Sequence, residues 1–146
     1  MQGADIAALL PHGDAMCLIE RVCSCSATQI HCQVINHQQP DHPLREAGAL
    51  PAMSLVEYGA QAAGIHAALN QSVGGRPAEG YIGGIKGLEL HCQSIDCIAT
   101  PIDIRAECEL TSANGAIYRF SAEAAGELLA TGRLTLIHPQ QSAVAS

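Results

Sequence analysis

Two side chains that can move protons lie near the middle of the chain, His42 in a polar, proline-containing loop and Glu57 in an apolar segment. A histidine with a pKa near neutrality and a carboxyl whose pKa is raised by burial can act together, one giving a proton and the other taking one. Glu57 is the one charged side chain between positions 51 and 70, where an ionised carboxylate is costly unless it is paired. His42 and Glu57 are therefore candidates for proton transfer.

The segment that carries Glu57 is predicted to form one long helix. It is rich in Ala, Leu and Ile, starts with Pro51, which suits a first helical position, and is followed by Gly74 and Gly75, which suit a helix end. A helix of this length extends about 27–30 Å. Because it is apolar nearly all round, we expect it to be buried.

Helical geometry places particular side chains beside Glu57. At 100° per residue, Gln61 falls about 40° from Glu57, whereas His66 falls about 180° away. Gln61 is expected to orient the carboxyl by a hydrogen bond. Together with Gly64 and Ala68, it forms a predicted substrate-binding stripe.

The start of this helix is a second predicted binding element. Free amides at a helix N-terminus can hold an oxygen that gains negative charge. We assign this role to the first residues of the helix, which are Pro51, Ala52 and Met53, with the amides around Ala52 and Met53 as donors.

Both catalytic assignments have a plainer alternative. Ser54-x-x-Glu57 has the spacing of a capping box, in which Glu57 would only satisfy backbone donors. Pro51 favours a helix that begins near residue 52, which would leave Glu57 in the second turn. His42 can equally be a solvated loop residue.

The remaining segments are predicted to be β-strands. Residues 28–35 alternate apolar and polar side chains and pair with residues 16–25 as a hairpin around Ser26-Ala27. Further strands are expected at residues 81–90, 102–110, 116–124 and 128–137, with turns at Asn114-Gly115 and Gly126. The predicted fold class is α+β, with an antiparallel sheet wrapped around one long central helix.

Composition restricts the class of protein. The 146 residues predict a single domain at 1–139 and a flexible tail at 140–146. A net charge of −7 without a basic run argues against nucleic acid, and Glu57, Gln61 and His66 in the central helix argue against a membrane span. Seven cysteines without a C-x-x-C pair, and an N-terminus unlike a signal peptide, indicate a cytoplasmic protein. His91-Cys92 with Cys97 lacks a fourth ligand, so no metal is expected.

Three stretches of the chain carry a resemblance to a known family. Leu9-Leu10-Pro11-His12 is followed by Leu18-Ile19-Glu20-Arg21-Val22, Pro51 precedes Glu57-x-x-x-Gln61, and Gly84-Ile85 begins the next strand. These stretches resemble the hotdog-fold 3-hydroxyacyl-(acyl carrier protein) dehydratases, in particular a divergent branch with members linked to aryl-polyene pathways. The chain departs from that family at Ala52, where the family has glycine, at Lys86, where it usually has an acidic residue, and around His42, which lies one residue farther from the Glu and lacks the flanking glycine and aromatic.

The resemblance implies a hotdog fold and a hydro-lyase that makes 2-enoyl thioesters in fatty-acid or polyene-type biosynthesis. It implies no cofactor, an acyl carrier protein or CoA thioester as substrate, and a homodimer or higher oligomer. The site would lie at the dimer interface, with His42 from one subunit and Glu57 from the other. Arg45, Arg76 and Lys86 would form a basic rim for the carrier, or else be scattered surface charges. Two alternatives stay open: an acyl-thioesterase, and a non-catalytic acyl-binding partner subunit of a dehydratase.

Overall fold

The computed structural model describes residues 17–70, 72–73, 76–77 and 81–137. Within these ranges one α-helix, α1, comprises Ser54–Asn70, and a 3-10 turn comprises Asn36–Gln38. The strands are β1 (Arg21–Cys25), β2 (Gln29–Val34), β3 (Ser72–Val73), β4 (Arg76–Pro77), β5 (Tyr81–Leu90), β6 (Ile102–Ser112), β7 (Gly115–Ala124) and β8 (Glu127–Ile137).

Six of the strands form one sheet in the order β1-β2-β6-β7-β8-β5, with every neighbouring pair antiparallel. The predicted hairpin of β1 and β2 is present, and the Ser26 amide donates to the Gln29 carbonyl across its turn at 2.8 Å. The β6–β7 turn consists of Ala113 and Asn114, one residue before the predicted pair. β3 and β4 form a separate small hairpin, which the sequence reading did not predict.

The helix α1 lies against this sheet, mainly on β2, β6 and β7. The core is built from aliphatic residues and three fully buried aromatic side chains, Tyr58, Tyr118 and Phe120. Gly59 lets the helix approach β7 closely, because an added Cβ would lie 2.6 Å from Phe120 Cδ2. The α+β arrangement of one central helix on an antiparallel sheet is thus the predicted one.

The helix begins at Ser54, two residues later than predicted. The turn before it is tighter than an α-helical turn, since the Ser54 amide donates to the Pro51 carbonyl, three residues back, at 3.0 Å. The Ser54 hydroxyl also donates to the Pro51 carbonyl. Because the helix begins later than predicted, Glu57 lies in its first turn and not in the second.

Some expectations lie outside the described residues. These are the segment Leu9-Leu10-Pro11-His12, the helix-end glycines Gly74 and Gly75, and the predicted tail at 140–146.

Candidate functional site

Glu57 is held by a hydrogen bond within the helix. Gln61 Nε2 donates to Glu57 Oε1 at 3.0 Å, as the four-residue spacing predicts. Gln61 Oε1 in turn accepts from the Leu18 amide at 2.7 Å, in the segment leading to β1. Gln61 is 4% exposed, whereas Glu57 is only half-buried. A buried amide thus fixes a carboxylate that solvent or a ligand can still reach.

The face of α1 around Glu57 is the side that the chain's own sheet leaves open. Met53 is 51% exposed, and Ala60 and Gly64 are half-buried like Glu57. Ala68, placed in the substrate stripe by the sequence, is buried together with Gln61. The open face is therefore centred between Glu57 and Ala60 and faces away from Gln61. Contact between substrate and the stripe of Gln61, Gly64 and Ala68 stays a prediction.

His42 is buried, 5% exposed, and hydrogen-bonds to the neighbour of Glu57 in the helix. Its Nε2 lies 2.8 Å from Tyr58 Oη, and its Nδ1 accepts from the Leu44 amide at 3.1 Å. Tyr58 donates its hydroxyl proton to Asn36 Oδ1, and Asn36 Nδ2 donates to the Leu18 carbonyl at 2.7 Å. Both nitrogens of His42 are thus engaged within its own chain, and its catalytic role stays a prediction.

This hydrogen-bonded arrangement joins the two predicted catalytic residues through the backbone of one residue. Leu18 accepts through its carbonyl from Asn36 and donates through its amide to Gln61. The sequence of bonds therefore runs from the His42 loop, through Leu18, to Glu57. Burial, and after it the charges of Arg45 and His37, holds the pKa of His42 below its ordinary value.

Two further charged residues hold the loop between β2 and α1. Glu20 Oε1 accepts from the amides of Ile35 and Asn36, at 2.6 and 2.9 Å. Arg45 donates from Nε to the Gln39 carbonyl at 2.7 Å and from Nη1 to the Gly48 carbonyl at 2.8 Å. These bonds fix where the loop places His42.

Arg45 consequently does not belong to the suggested basic rim. Its guanidinium points into the loop and lies 3.8 Å from Asp96 Oδ2, with its side chain 16% exposed. Lys86, by contrast, is exposed on β5, next to Arg133 of β8. Arg45 was suggested as part of a basic rim that would bind the carrier, but its guanidinium instead binds the backbone carbonyls of Gln39 and Gly48.

The start of α1 is anchored to the segment after β5. The Ala52 amide donates to the Gln93 carbonyl at 2.9 Å, and the Leu50 amide donates to Asp96 Oδ1 at 3.0 Å. Within the described part of the chain, the Met53 amide has no acceptor. Of the two amides predicted to bind an oxyanion, Ala52 is therefore already engaged and Met53 is the available donor.

His66 lies on the opposite side of α1, as predicted, and is 2% exposed. Its Nδ1 lies 2.6 Å from Tyr118 Oη and its Nε2 lies 2.9 Å from the Ser26 carbonyl. Because a carbonyl only accepts, Nε2 carries the proton and the Tyr118 hydroxyl donates to Nδ1. Burial lowers the pKa of His66. This histidine ties the helix to β7 and to the β1–β2 turn.

Sequence reasoning missed Tyr58, Asn36 and Glu20. Tyr58 directly follows Glu57 and is one of three tyrosines in a chain with few aromatics. A hydroxyl-bearing side chain in an otherwise apolar helix needs a hydrogen-bond partner, and this signal could have identified Tyr58. The partners of Asn36 and Glu20 lie in other elements, and nothing in their local sequence pointed to them.

No group of three or more residues able to hold a metal ion occurs in the part of the chain that the structure describes. Within the same residues, no helix is long and apolar enough to cross a membrane.

One central helix on a six-stranded antiparallel sheet is the arrangement of the hotdog fold. The family model of the ApeP-like dehydratases (ApeP dehydratase) matches residues 4–145. The chain therefore belongs to the ApeP-like dehydratase family, which confirms the resemblance found in its sequence.

Solved structures show the same fold. The dehydratase heterocomplex ApeI:P from Xenorhabdus doucetiae contains a chain that is 24% identical over 96% of this chain and 94% of that one, with a TM-score of 0.79. A thioesterase from Haemophilus influenzae is 15% identical over 96% and 92%, with a TM-score of 0.67. A hypothetical thioesterase with coenzyme A from Streptococcus pneumoniae is 12% identical over 83% and 86%, with a TM-score of 0.59. The predicted hotdog fold is thus confirmed, and no curated protein is similar enough to count as a match.

Proposed function

We propose that the protein takes part in the dehydration of 3-hydroxyacyl thioesters, carried on acyl carrier protein or CoA, to 2-enoyl thioesters. The observation that carries the proposal is the half-buried Glu57 carboxylate, oriented by Gln61 on the open face of α1. Membership of the ApeP-like dehydratase family supports this choice of reaction.

The reaction needs three groups. A base removes the proton from the carbon next to the thioester, an acid protonates the departing hydroxyl, and a donor stabilises the thioester oxygen as it gains charge. Glu57 supplies one of the proton transfers, and the free Met53 amide at the start of α1 supplies the donor. The other proton transfer falls to an imidazole.

That imidazole comes from a subunit that covers the open face of α1. The sequence assigned it to His42 of a second copy of the chain. The likeness to a chain of a dehydratase heterocomplex supports the alternative that a different hotdog subunit supplies it. Either way, we propose that the protein works as an oligomer in the cytoplasm and that its site is completed by a partner.

The test is to incubate the protein with 3-hydroxyacyl carrier protein or CoA of short and long chain length, alone and mixed with other hotdog dehydratase subunits of its source organism. Loss of water is followed by mass spectrometry. Glu57→Gln keeps the shape and the hydrogen-bonding capacity of the side chain and should lower the rate about 10²–10⁴-fold. Glu127→Gln, at an exposed position of β8, is the matched control and should leave the rate unchanged. Absence of 2-enoyl product in every mixture would reject the proposal.

Thioester hydrolysis is the second candidate. A carboxylate and a helix N-terminus can also activate water against a thioester, and thioesterases are among the proteins that share the fold. Release of free thiol from acyl-CoA, without loss of water from a 3-hydroxyacyl substrate, would favour hydrolysis. If neither product forms and Glu57→Gln leaves the activity of a mixture intact, the non-catalytic partner role is favoured.

A further inference from the structure

We infer that Tyr58 and Asn36 withhold His42 from substrate, so that this subunit contributes Glu57, but not His42, to the proton transfers at its site. Tyr58 and Asn36 are then positioning residues. Tyr58 holds the imidazole of His42, and Asn36 holds the Leu18 carbonyl, so that the Leu18 amide stays within hydrogen-bonding distance of Gln61. The inference rests on the proposed function for the identity of the site, but the state of His42 can be measured without any activity.

The directions of the hydrogen bonds define the state of His42. The Leu18 carbonyl only accepts, so the amide nitrogen of Asn36 faces it and the amide oxygen faces Tyr58. The Tyr58 hydroxyl gives its one proton to that oxygen. Tyr58 Oη can therefore only accept from His42, which places a proton on Nε2.

The other ring nitrogen leads to the same tautomer independently. The Leu44 amide donates to His42 Nδ1 at 3.1 Å, and a nitrogen that accepts a hydrogen bond carries no proton. His42 is thus a neutral imidazole protonated at Nε2. A second proton would have to enter at Nδ1, where it would oppose the Leu44 N–H and break this bond.

A general acid or base must pass through both protonation states while in contact with substrate. His42 meets neither requirement in this structure. His42 is only 5% exposed. Its unprotonated nitrogen, Nδ1, accepts from the Leu44 amide, and its Nε2–H donates to Tyr58, which is itself fully buried.

The helix separates His42 from the open face. Tyr58 follows Glu57 by one residue and therefore points about 100° away from it around α1. Tyr58 is directed into the core, where it meets His42, while Glu57 lies on the open side. The imidazole that works with Glu57 then comes from a subunit of different sequence, whose histidine is not held in this way.

The first test measures the state of His42 directly by long-range ¹⁵N NMR and by modification with diethylpyrocarbonate followed by mass spectrometry. We expect the Nε2–H tautomer from about pH 6 to about pH 8. We also expect modification at least about tenfold slower than at His91, whose side chain is 43% exposed. Tyr58→Phe, which removes only the hydroxyl, should speed the modification of His42, while the Leu44 amide keeps Nδ1 unprotonated.

A His42 that titrates near its ordinary pKa, or reacts as fast as His91, overturns the inference. If Tyr58→Phe does not fold, the measurements on the unaltered protein decide the question by themselves.

The second test is kinetic and uses whichever oligomer forms 2-enoyl product. His42→Gln retains hydrogen-bonding groups but cannot titrate, and we expect it to lower the rate less than about tenfold, with the pH profile unchanged. A loss as large as that of Glu57→Gln, or removal of one limb of the profile, would identify His42 as catalytic and overturn the inference while upholding the proposed function. If no assembly forms product, the proposed function fails, and the spectra still decide whether His42 is locked.

Discussion

Gln61 connects Glu57 to a part of the chain 43 residues away, because its amide nitrogen donates to Glu57 at 3.0 Å while its oxygen accepts from the Leu18 amide at 2.7 Å. The carboxylate is therefore fixed relative to the segment before β1 as well as to its own helix. Since Leu18 also accepts from Asn36, the same backbone joins Glu57 to the loop that contains His42. The two parts of the site are therefore joined by the backbone amide and carbonyl of Leu18, a residue whose side chain cannot transfer protons.

Replacing Gln61 by Leu should weaken both stability and activity. It leaves the buried Leu18 amide without an acceptor, which costs about 1–3 kcal/mol in the free energy of unfolding, and it frees the Glu57 carboxylate. Urea unfolding and the dehydration assay measure the two effects. Gln38→Leu, which removes an exposed amide bonded to Ile98, is the control and should change stability by less than about 1 kcal/mol. Equal losses in both variants would contradict the role of Gln61.

Replacing Arg45 by Met should loosen the loop between β2 and α1. The change removes two charge-assisted bonds, to the carbonyls of Gln39 and Gly48, and should cost about 1–3 kcal/mol. Hydrogen exchange should become faster at the amides of His42 and Leu44. Arg105→Met, which breaks a partly exposed ion pair with Glu123, should cost only about 0–1 kcal/mol. Unchanged exchange in the loop would show that Arg45 does not hold it.

Replacing Gly59 by Ala should destabilise the protein although alanine favours helix. The added methyl would lie 2.6 Å from two ring atoms of the buried Phe120, and such overpacking costs about 1–3 kcal/mol, more than the roughly 1 kcal/mol gained in helix propensity. Thermal unfolding would record the loss. Gly84→Ala, where an added Cβ meets nothing within 4 Å, should unfold at nearly the same temperature as the unaltered protein. A more stable Gly59→Ala variant would mean that α1 can move away from β7.

Stability should fall as the pH drops below about 6.5, because burial lowers the pKa values of both His42 and His66 in the folded state from that ordinary value. Below pH 6.5 the unfolded chain binds protons that the folded chain does not. The stabilisation is therefore complete above pH 6.5 and is lost towards the folded pKa values, with a slope of up to about 1.4 kcal/mol per pH unit for each histidine.

Urea unfolding in steps of pH measures this slope. His66→Gln should reduce it by about half, because one of the two titrating groups is removed. The Gln38→Leu variant, which alters no titrating group, is the control. A free energy of unfolding that stays constant below pH 6.5 would contradict the prediction.

The strands, the central helix and their order could be read from local pattern. Alternation of apolar and polar residues located β2 and β6, and the spacing of Glu57 and Gln61 correctly predicted the hydrogen bond between them. The turn before β7 was placed one residue late, because the two-residue loop is Ala113-Asn114 and the predicted glycine is the first residue of the strand. Such errors are small, since each of these features depends on neighbours within a few residues.

The environment of His42 could not be read in the same way. The sequence identified the residue and its loop, but its partner Tyr58 is 16 positions away, and Asn36, the partner of Tyr58, is 22 positions away. Their meeting depends on how the loop folds back over α1, which Arg45, Glu20 and the segment after β5 decide together. The sequence alone fixed which groups can move protons, because that is a property of residue type. Tertiary structure decided that Glu57 lies open and His42 lies locked, because burial and hydrogen-bond direction are properties of contacts between distant segments.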